Sequence, residues 1–374
     1  MIEISEVTEA TTLGGLAAEW QALAARADDV TPFQTWEWCS TWWSHHGRGR
    51  PWVLRAVDKA SGELVGLMPL TISRYRGTPL RQVKFFGSPL SDYQGPIGPA
   101  SRAAECADAF FAHLERHRDR WDLCDFADQR EGSPLTLAQN GGLTVEKLHH
   151  RLCPVIPLES SWDKFAAGLS KNMRTNIGRR RRQIAKTFKT EYDTASAETL
   201  AQAMEELFVL HNRRWRKRGA MGAFAGERMQ KFHHEVARRF LERGWLRLHR
   251  LRLDGETRAA FYCFQYGARV YYYLSGFDLE FSKFSIGNVA MSHAIESAIK
   301  DGAREFDLLR GDETYKFQWK AIERSTERLV IGHPTLRSRF ALAGHRLERY
   351  IELQGLAVQR RLWGRKPAPR DASG

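Results

Sequence analysis

The stretch FDLLRGDETYKFQWK, residues 306–320, decides how the chain is read. It begins as an apolar strand with Phe306, Leu308 and Leu309. It then breaks at Arg310-Gly311-Asp312-Glu313 and resumes with Tyr315, Lys316, Phe317 and Trp319. Strand alternation puts Phe306 and Leu308 on one face and Asp307 and Leu309 on the other. Gly311 permits a turn, and Asp312 is placed to cap a short helix starting near Glu313. On that helix Tyr315 and Trp319 are four apart, as are Asp312 and Lys316. Charges this close to an apolar strand are costly unless they are paired or used. Two readings follow. The cluster is the rim of a reaction site, or it is an ion-pair network of Asp307, Arg310, Glu313 and Lys316 that fixes a strand–helix corner.

Working outward, residues 286–301 (IGNVAMSHAIESAIKD) predict a helix, entered through Ser285 and Gly287. Before it, 245–277 predict three strands joined at Asp254-Gly255 and Gly267-Ala268, both sound hairpin turns. Helices are predicted at 200–219 and 227–244, each ended by glycine. The first half has a similar order: a Trp-rich helix at 33–47, two strands within 51–75, a strand and Gly/Pro loop at 83–101, a helix at 103–120 and a strand at 121–129. RWDLCDF (120–126) parallels EFDLLRG (305–311). The fold class is therefore mixed α/β, with two modules of the same type, 1–155 and 156–334. Residues 335–374 predict a basic amphipathic helix and a disordered tail.

With 374 residues, 43% of them hydrophobic and twelve of them Trp, the chain has ample material for a core. The formal charge of +13 is concentrated. Residues 171–190 hold eight basic and no acidic residues, and 335–374 hold nine basic and three acidic, leaving the rest near neutral. This points to local contacts with anions. Five cysteines without CxxC spacing suit a reducing, cytoplasmic setting better than a disulfide framework. There is no signal-peptide pattern and no apolar run long enough to span a membrane. P-loop, Rossmann and GxSxG patterns are absent, and no metal is expected. His113 and His117 are helix-spaced but have no third ligand nearby in sequence, so they read as surface residues.

The ordered motifs RTNIGRRRRQI, LHNRRWRKRG, DGETRAAF, YYYLSGFD, SIGNVAMSHAI and FDLLRGDETYKFQWK resemble the CelD-like (cellulose biosynthesis protein) branch of the GNAT acyltransferases. That branch carries tandem GNAT-like modules, as do the related Fem aminoacyl transferases. The resemblance spans most of residues 33–325. It implies acyl-CoA-dependent N-acyl transfer, with acetyl-CoA or another acyl-CoA as co-substrate. The acceptor would be a small-molecule or glycan amine, as in exopolysaccharide or cellulose production. In GNAT enzymes the strand–helix junction holds the CoA pyrophosphate, which places Lys283, Ser285, Gly287 and Asn288 at the cofactor. Free amides and the helix dipole favour an anion there. The first module, whose matching loop contains prolines that lack N–H donors, would be structural.

Amine acylation needs a base, oriented donors and an acid for the leaving thiolate. Glu313 or Asp312 could be the base, and Tyr315 the acid or a positioning hydroxyl. Lys316 and Arg310 could hold an anionic substrate, and Arg214 and Trp215 could line its channel. The runs at 174–186 and 211–219 could instead meet tRNA, as a Fem-like transferase would need, although no coiled-coil arm is evident. A non-catalytic anion-binding protein is the third reading. In the C-terminal helix Phe340, Leu347, Ile351 and Trp363 could cover the protein or make peripheral membrane contact.

Overall fold

The computed structural model describes residues 1–139, 141–217 and 219–363. The tail at 364–374 and the side chain of Trp363 lie outside the described residues. Among the described residues the strands form two mixed sheets. The first has seven strands in the order β1 (Ile2–Val7), β2 (Arg50–Asp58), β3 (Leu64–Arg74), β4 (Arg81–Phe85), β5 (Leu123–Arg130), β13 (Ser325–Gly332) and β6 (Thr144–Leu152). The second has six, ordered β7 (Val155–Pro157), β12 (Glu305–Asp307), β11 (Arg269–Phe277), β10 (Glu256–Tyr266), β9 (Leu246–Leu253) and β8 (Thr190–Thr194).

The helices are α1 (Ala17–Arg26), α2 (Trp36–His46), α3 (Ala103–Arg116), α4 (Pro134–Leu137), α5 (Trp162–Ala167), α6 (Lys171–Thr187), α7 (Leu200–Arg216), α8 (Glu227–Glu242), α9 (Ile286–Lys300), α10 (Thr314–Phe317) and α11 (Leu336–Trp363). Each sheet contains one parallel pair with a helix between its strands: β4 and β5 around α3, and β11 and β12 around α9. A parallel pair needs such a crossover, and its recurrence in both halves is the duplication expected from the sequence.

One strand crosses over. The stretch 325–332, assigned above to the second module, lies in the first sheet between β5 and β6. Its Thr326, Leu329, Val330 and Ile331 are buried there, paired on both sides by β5 and β6. The helix α11 then packs Ala341 and Leu342 against Val330, Leu123 and Tyr75 of the first module.

The two halves share one apolar cluster. Trp20, Phe33 and Trp38 of the first half pack with Phe232, Phe240, Phe264 and Tyr271 of the second. Trp38 is fully buried, meets Phe33 and Phe232 edge to face, and donates its indole N–H to Ser91 Oγ at 2.9 Å. The Trp-rich helix is thus a wedge between modules.

His113 departs from expectation because it is buried. Strand β1 brings Glu6 to it, with His113 Nε2 2.6 Å from Glu6 Oε1. Arg120 also donates to both oxygens of Glu6 at 3.0 and 2.7 Å. The third member of the His113–His117 group comes from a residue over a hundred positions away, which helix spacing could not reveal. The five cysteines are free and buried.

Replacing Trp38 by Ala is expected to destabilise the protein by about 4 kcal/mol, the usual cost of deleting a buried Trp. Because the cluster spans both halves, chemical denaturation followed by near-UV and far-UV signals should show both modules lost at a lower midpoint.

Candidate active site

The second sheet opens where its parallel pair ends. β11 and β12 pair over three positions only, Arg269 with Glu305, Val270 with Phe306 and Tyr271 with Asp307. β11 then runs on to Phe277 while β12 stops. Leu309 has a left-handed backbone (φ +53°) and Gly311 has φ +127°, which turns the chain away from the sheet. A bulge on the other side of β11 leaves Tyr273 without a partner in β10, between the pairs Tyr262–Leu274 and Cys263–Tyr272. Such bulges re-aim side chains, and here the consecutive Tyr272 and Tyr273 both border the opening.

Lys316 holds the turn. Its side chain is 3% exposed, and its ammonium donates to the carbonyls of Leu309, Arg310 and Gly311 at 3.1, 2.9 and 3.3 Å. Glu313 Oε2 lies 3.1 Å away. The donors of Lys316 are thus turned inward to the backbone of the turn. Arg310 is likewise engaged. Its Nε is 3.0 Å from Asp92 Oδ1, and both terminal nitrogens donate to Pro89 O at 3.2 Å. Of the expected network of Asp307, Arg310, Glu313 and Lys316, the Lys316–Glu313 pair is present, whereas Arg310 pairs with Asp92 and Asp307 with Tyr93 and Leu309 N. A Cβ on Gly311 would meet Glu313 Oε2 and Lys316 Nζ, but these are ends of flexible side chains; it is the φ of +127° that calls for glycine.

Two cavities adjoin this turn. One of about 410 Å³ is bordered by Asp92, His211, Trp215, His233, Arg310 and Glu313. The other, of about 220 Å³, is bordered by Phe261, Phe277, Gly287, Asn288 and Met291. Arg214, Tyr272 and Tyr315 border both. The guanidinium of Arg214 sits over the Phe277 ring, 4.1 Å from its centroid. The smaller cavity thus meets the first turn of α9, where helix amides have no intrahelical acceptor. Gly287 lets the Phe277 ring approach: a Cβ there would lie 3.2 Å from it.

The fold therefore unites Gly287 and Asn288 with Arg214 and Tyr315, and these with Glu313 and Trp215. Three expected residues fall outside both linings. Lys283 is exposed, with its ammonium 5.1 Å from the Phe284 ring centroid. Ser285 holds the N-cap position of α9, but its backbone is left-handed (φ +52°) and its side chain makes no capping bond. Asp312 is exposed, and the N-cap of α10 is Glu313, also without a side-chain capping bond. The turn is one residue longer than the capping pattern assumed, because Lys316 gathers its carbonyls.

Sequence reasoning missed Asp92 and His233. Asp92 comes from the Gly/Pro loop of the first module and His233 from α8. Burial pushes the Asp92 carboxyl up against the pull of Arg310. Burial lowers His233 to about 3 and His211 to about 4, so both are neutral imidazoles at pH 7. His211 Nδ1 lies 2.7 Å from Ser275 O, and its Nε2 accepts from Ala223 N at 3.1 Å. No local pattern marks these residues: Asp92 meets the cleft across the module boundary, and His233 reaches it from a helix distant in sequence from the turn.

Behind the turn, Asp307 Oδ1 accepts from Leu309 N at 2.8 Å and Oδ2 from the Tyr93 hydroxyl at 2.9 Å. Burial raises its pKa to about 7, and does the same for Asp128. In the first module the matching opening beside α3 forms a cavity of about 540 Å³. Asp28, Asp29, Asp108 and Glu131 border it against one cation, Arg130, a poor setting for a pyrophosphate.

Residues 171–317 match the family model described as Acetyltransferase (GNAT) domain. The match lies within the second module. The whole chain is similar to a crystal structure of FemX, at 12% identity and a TM-score of 0.63, covering 87% of this chain and 96% of that one. It is also similar to the C-terminal domain of a putative lysylphosphatidylglycerol synthetase from Agrobacterium fabrum (12% identity, TM-score 0.54, covering 88% and 96%). A third similar structure is L-PGS from Bacillus licheniformis (11% identity, TM-score 0.53, covering 91% and 98%). These likenesses show a shared fold. No curated protein sequence matches.

Lys316→Met should destabilise the protein by about 3 kcal/mol or more, since three carbonyls lose a charged donor; thermal melting reads this. Asp307 gives a pH signature. Its folded pKa is raised, so the folded state holds a proton that the unfolded state releases above about 4. That contribution is present at low pH and is lost as pH rises through about 7. In paired melts from pH 5 to 8, Asp307→Asn should gain stability relative to the unchanged protein as pH rises, and the comparison cancels the buried histidines.

Proposed function

We propose that the protein is an acyl-CoA-dependent N-acyltransferase whose donor enters at α9 and whose amine acceptor occupies the larger cavity. The observation that carries this reading is the meeting of the two cavities at Arg214, Tyr272 and Tyr315, one of them on the first turn of α9. The first-turn amides and helix dipole would take the CoA pyrophosphate, as anions do at helix N-termini. The narrow apolar passage past Phe277 and Met291 suits a thioester arm.

The amine nitrogen would attack the thioester carbonyl at the junction, so that a C–N bond forms and the C–S bond breaks. Glu313, 57% exposed at the edge of the larger cavity, would take the proton from the amine directly or through water. Tyr315, bordering both cavities, would protonate the departing thiolate or position the acyl group. Arg214 and Trp215 would line the acceptor side. The acid-lined first module would serve as scaffold, contributing Asp92 to the cleft wall. An amino sugar or polysaccharide precursor is the acceptor class suggested by the sequence resemblance.

Isothermal titration with acetyl-CoA and longer acyl-CoAs tests the donor, and mass spectrometry of acyl-CoA mixtures with candidate amines tests the acceptor. Gly287→Val should weaken acyl-CoA binding at least about tenfold by filling the passage. Glu313→Gln should lower kcat by about 100-fold or more with little change in acyl-CoA affinity. Failure of every acyl-CoA to bind would sink the proposal.

A second reading has its own observation. Helix α6 exposes Lys171, Arg174, Arg179, Arg182 and Lys186, cations placed to meet a polyanion. Salt-sensitive tRNA binding without any CoA binding would favour aminoacyl transfer from tRNA.

A further inference from the structure

The helix α11 carries two apolar faces. Its inner face is used: Ser338, Ala341, Leu342 and His345 are buried on the first module. Its outer face is not. Leu336, Phe340, Leu347, Tyr350 and Ile351 are each between 61% and 72% exposed. At 3.6 residues per turn these five side chains fall within an arc of about 100°, opposite the buried set. A helix lying on a globular surface normally turns polar residues outward, so an apolar outer stripe marks a contact.

Charge selects the occupant. Arg339 and Arg346 flank one edge of the stripe and Arg337 the other. Arg337 and Arg346 pair inward, with the buried Asp122 and with Glu146, while Arg339 is exposed. Residues 336–363 contain six arginines and two glutamates. One of the two, Glu348, is taken by the Tyr75 hydroxyl at 2.7 Å and by Arg76. A second copy seated on the stripe would bring two basic borders together, which repel. An anionic bilayer surface accepts both the apolar stripe and its arginine margins. No helix among the described residues is long and apolar enough to cross a membrane, so the contact is in the interface plane.

We propose that the outer face of α11 docks the protein on an anionic lipid surface, with Leu336, Phe340, Leu347, Tyr350 and Ile351 entering the headgroup region and the exposed Arg339 meeting lipid phosphate. This contact is independent of the chemistry in the cleft.

Flotation of the full chain with unilamellar vesicles tests it. Vesicles of phosphatidylcholine with about a third phosphatidylglycerol should carry the protein, and pure phosphatidylcholine should carry at least about tenfold less. Phe340→Glu combined with Leu347→Glu should abolish flotation without moving the melting temperature, because both side chains are solvent-exposed. Arg339→Glu, a milder change, should weaken binding and reduce its salt dependence. The proposal is overturned if phosphatidylglycerol vesicles do not carry the protein. It is equally overturned if the double variant floats as well as the original. A dimer seen by light scattering that the double variant turns into a monomer would also overturn it, since a second copy would then be the occupant.

Discussion

One buried ammonium organises the cleft. Lys316 draws three consecutive carbonyls, those of Leu309, Arg310 and Gly311, toward a single point. Carbonyls in a turn that leaves a sheet have no ladder partners, and in a buried position each would be costly unpaired. The ammonium satisfies all three and makes the left-handed step at Leu309 stable. The chain therefore leaves β12 abruptly while β11 continues, and the gap between them becomes the junction of the two cavities. The charges that interrupt an apolar strand are the means by which the strand is ended and the site is opened.

The same turn ties the modules together. Arg310 reaches Asp92 and Pro89 of the first module, and Tyr93 reaches Asp307. These polar links lie beside the aromatic cluster built around Phe33 and Trp38. The apolar cluster supplies most of the affinity between modules, being core-like in burial. The polar links add direction: a guanidinium and two buried carboxyl groups must meet their partners or remain unpaired at high cost. The larger cavity is walled by both halves, so its shape depends on this docking. A duplicated architecture has diverged accordingly. The opening beside α9 has cationic and neutral borders, whereas its counterpart beside α3 is bordered by four acids.

Much of the fold was legible in the chain. The hairpins at Asp254-Gly255 and Gly267-Ala268, the helices at 200–216, 227–242 and 286–300, and the repeated strand–helix–strand order follow from local periodicity and turn chemistry. The short strand β13 did not declare its partner. Its apolar residues suit either sheet, and only competition between open edges sends it back to the first. In the site, Gly287, Asn288, Arg214, Tyr315 and Glu313 converge around the cleft because the order of elements brings the start of α9 and the end of β12 to one end of the sheet. Lys316 and Arg310 are recognisable as charged residues near a strand end, but the backbone oxygens and the distant Asp92 that they bind are encoded by no local pattern.

The amino-acid sequence alone determined which segments become strands and helices, that the chain holds two similar modules, and that charged side chains cluster at 310–316. Those properties depend on neighbours within a few residues, where spacing and propensity act. Tertiary structure alone decided that Lys316 faces inward, that His113 is buried against Glu6, and that Asp92 and His233 enter the cleft wall. It also decided that the outer stripe of α11 is left exposed among the described residues. Each of these rests on burial and on partners distant in sequence, and burial is a property of the packed chain, not of any stretch of it.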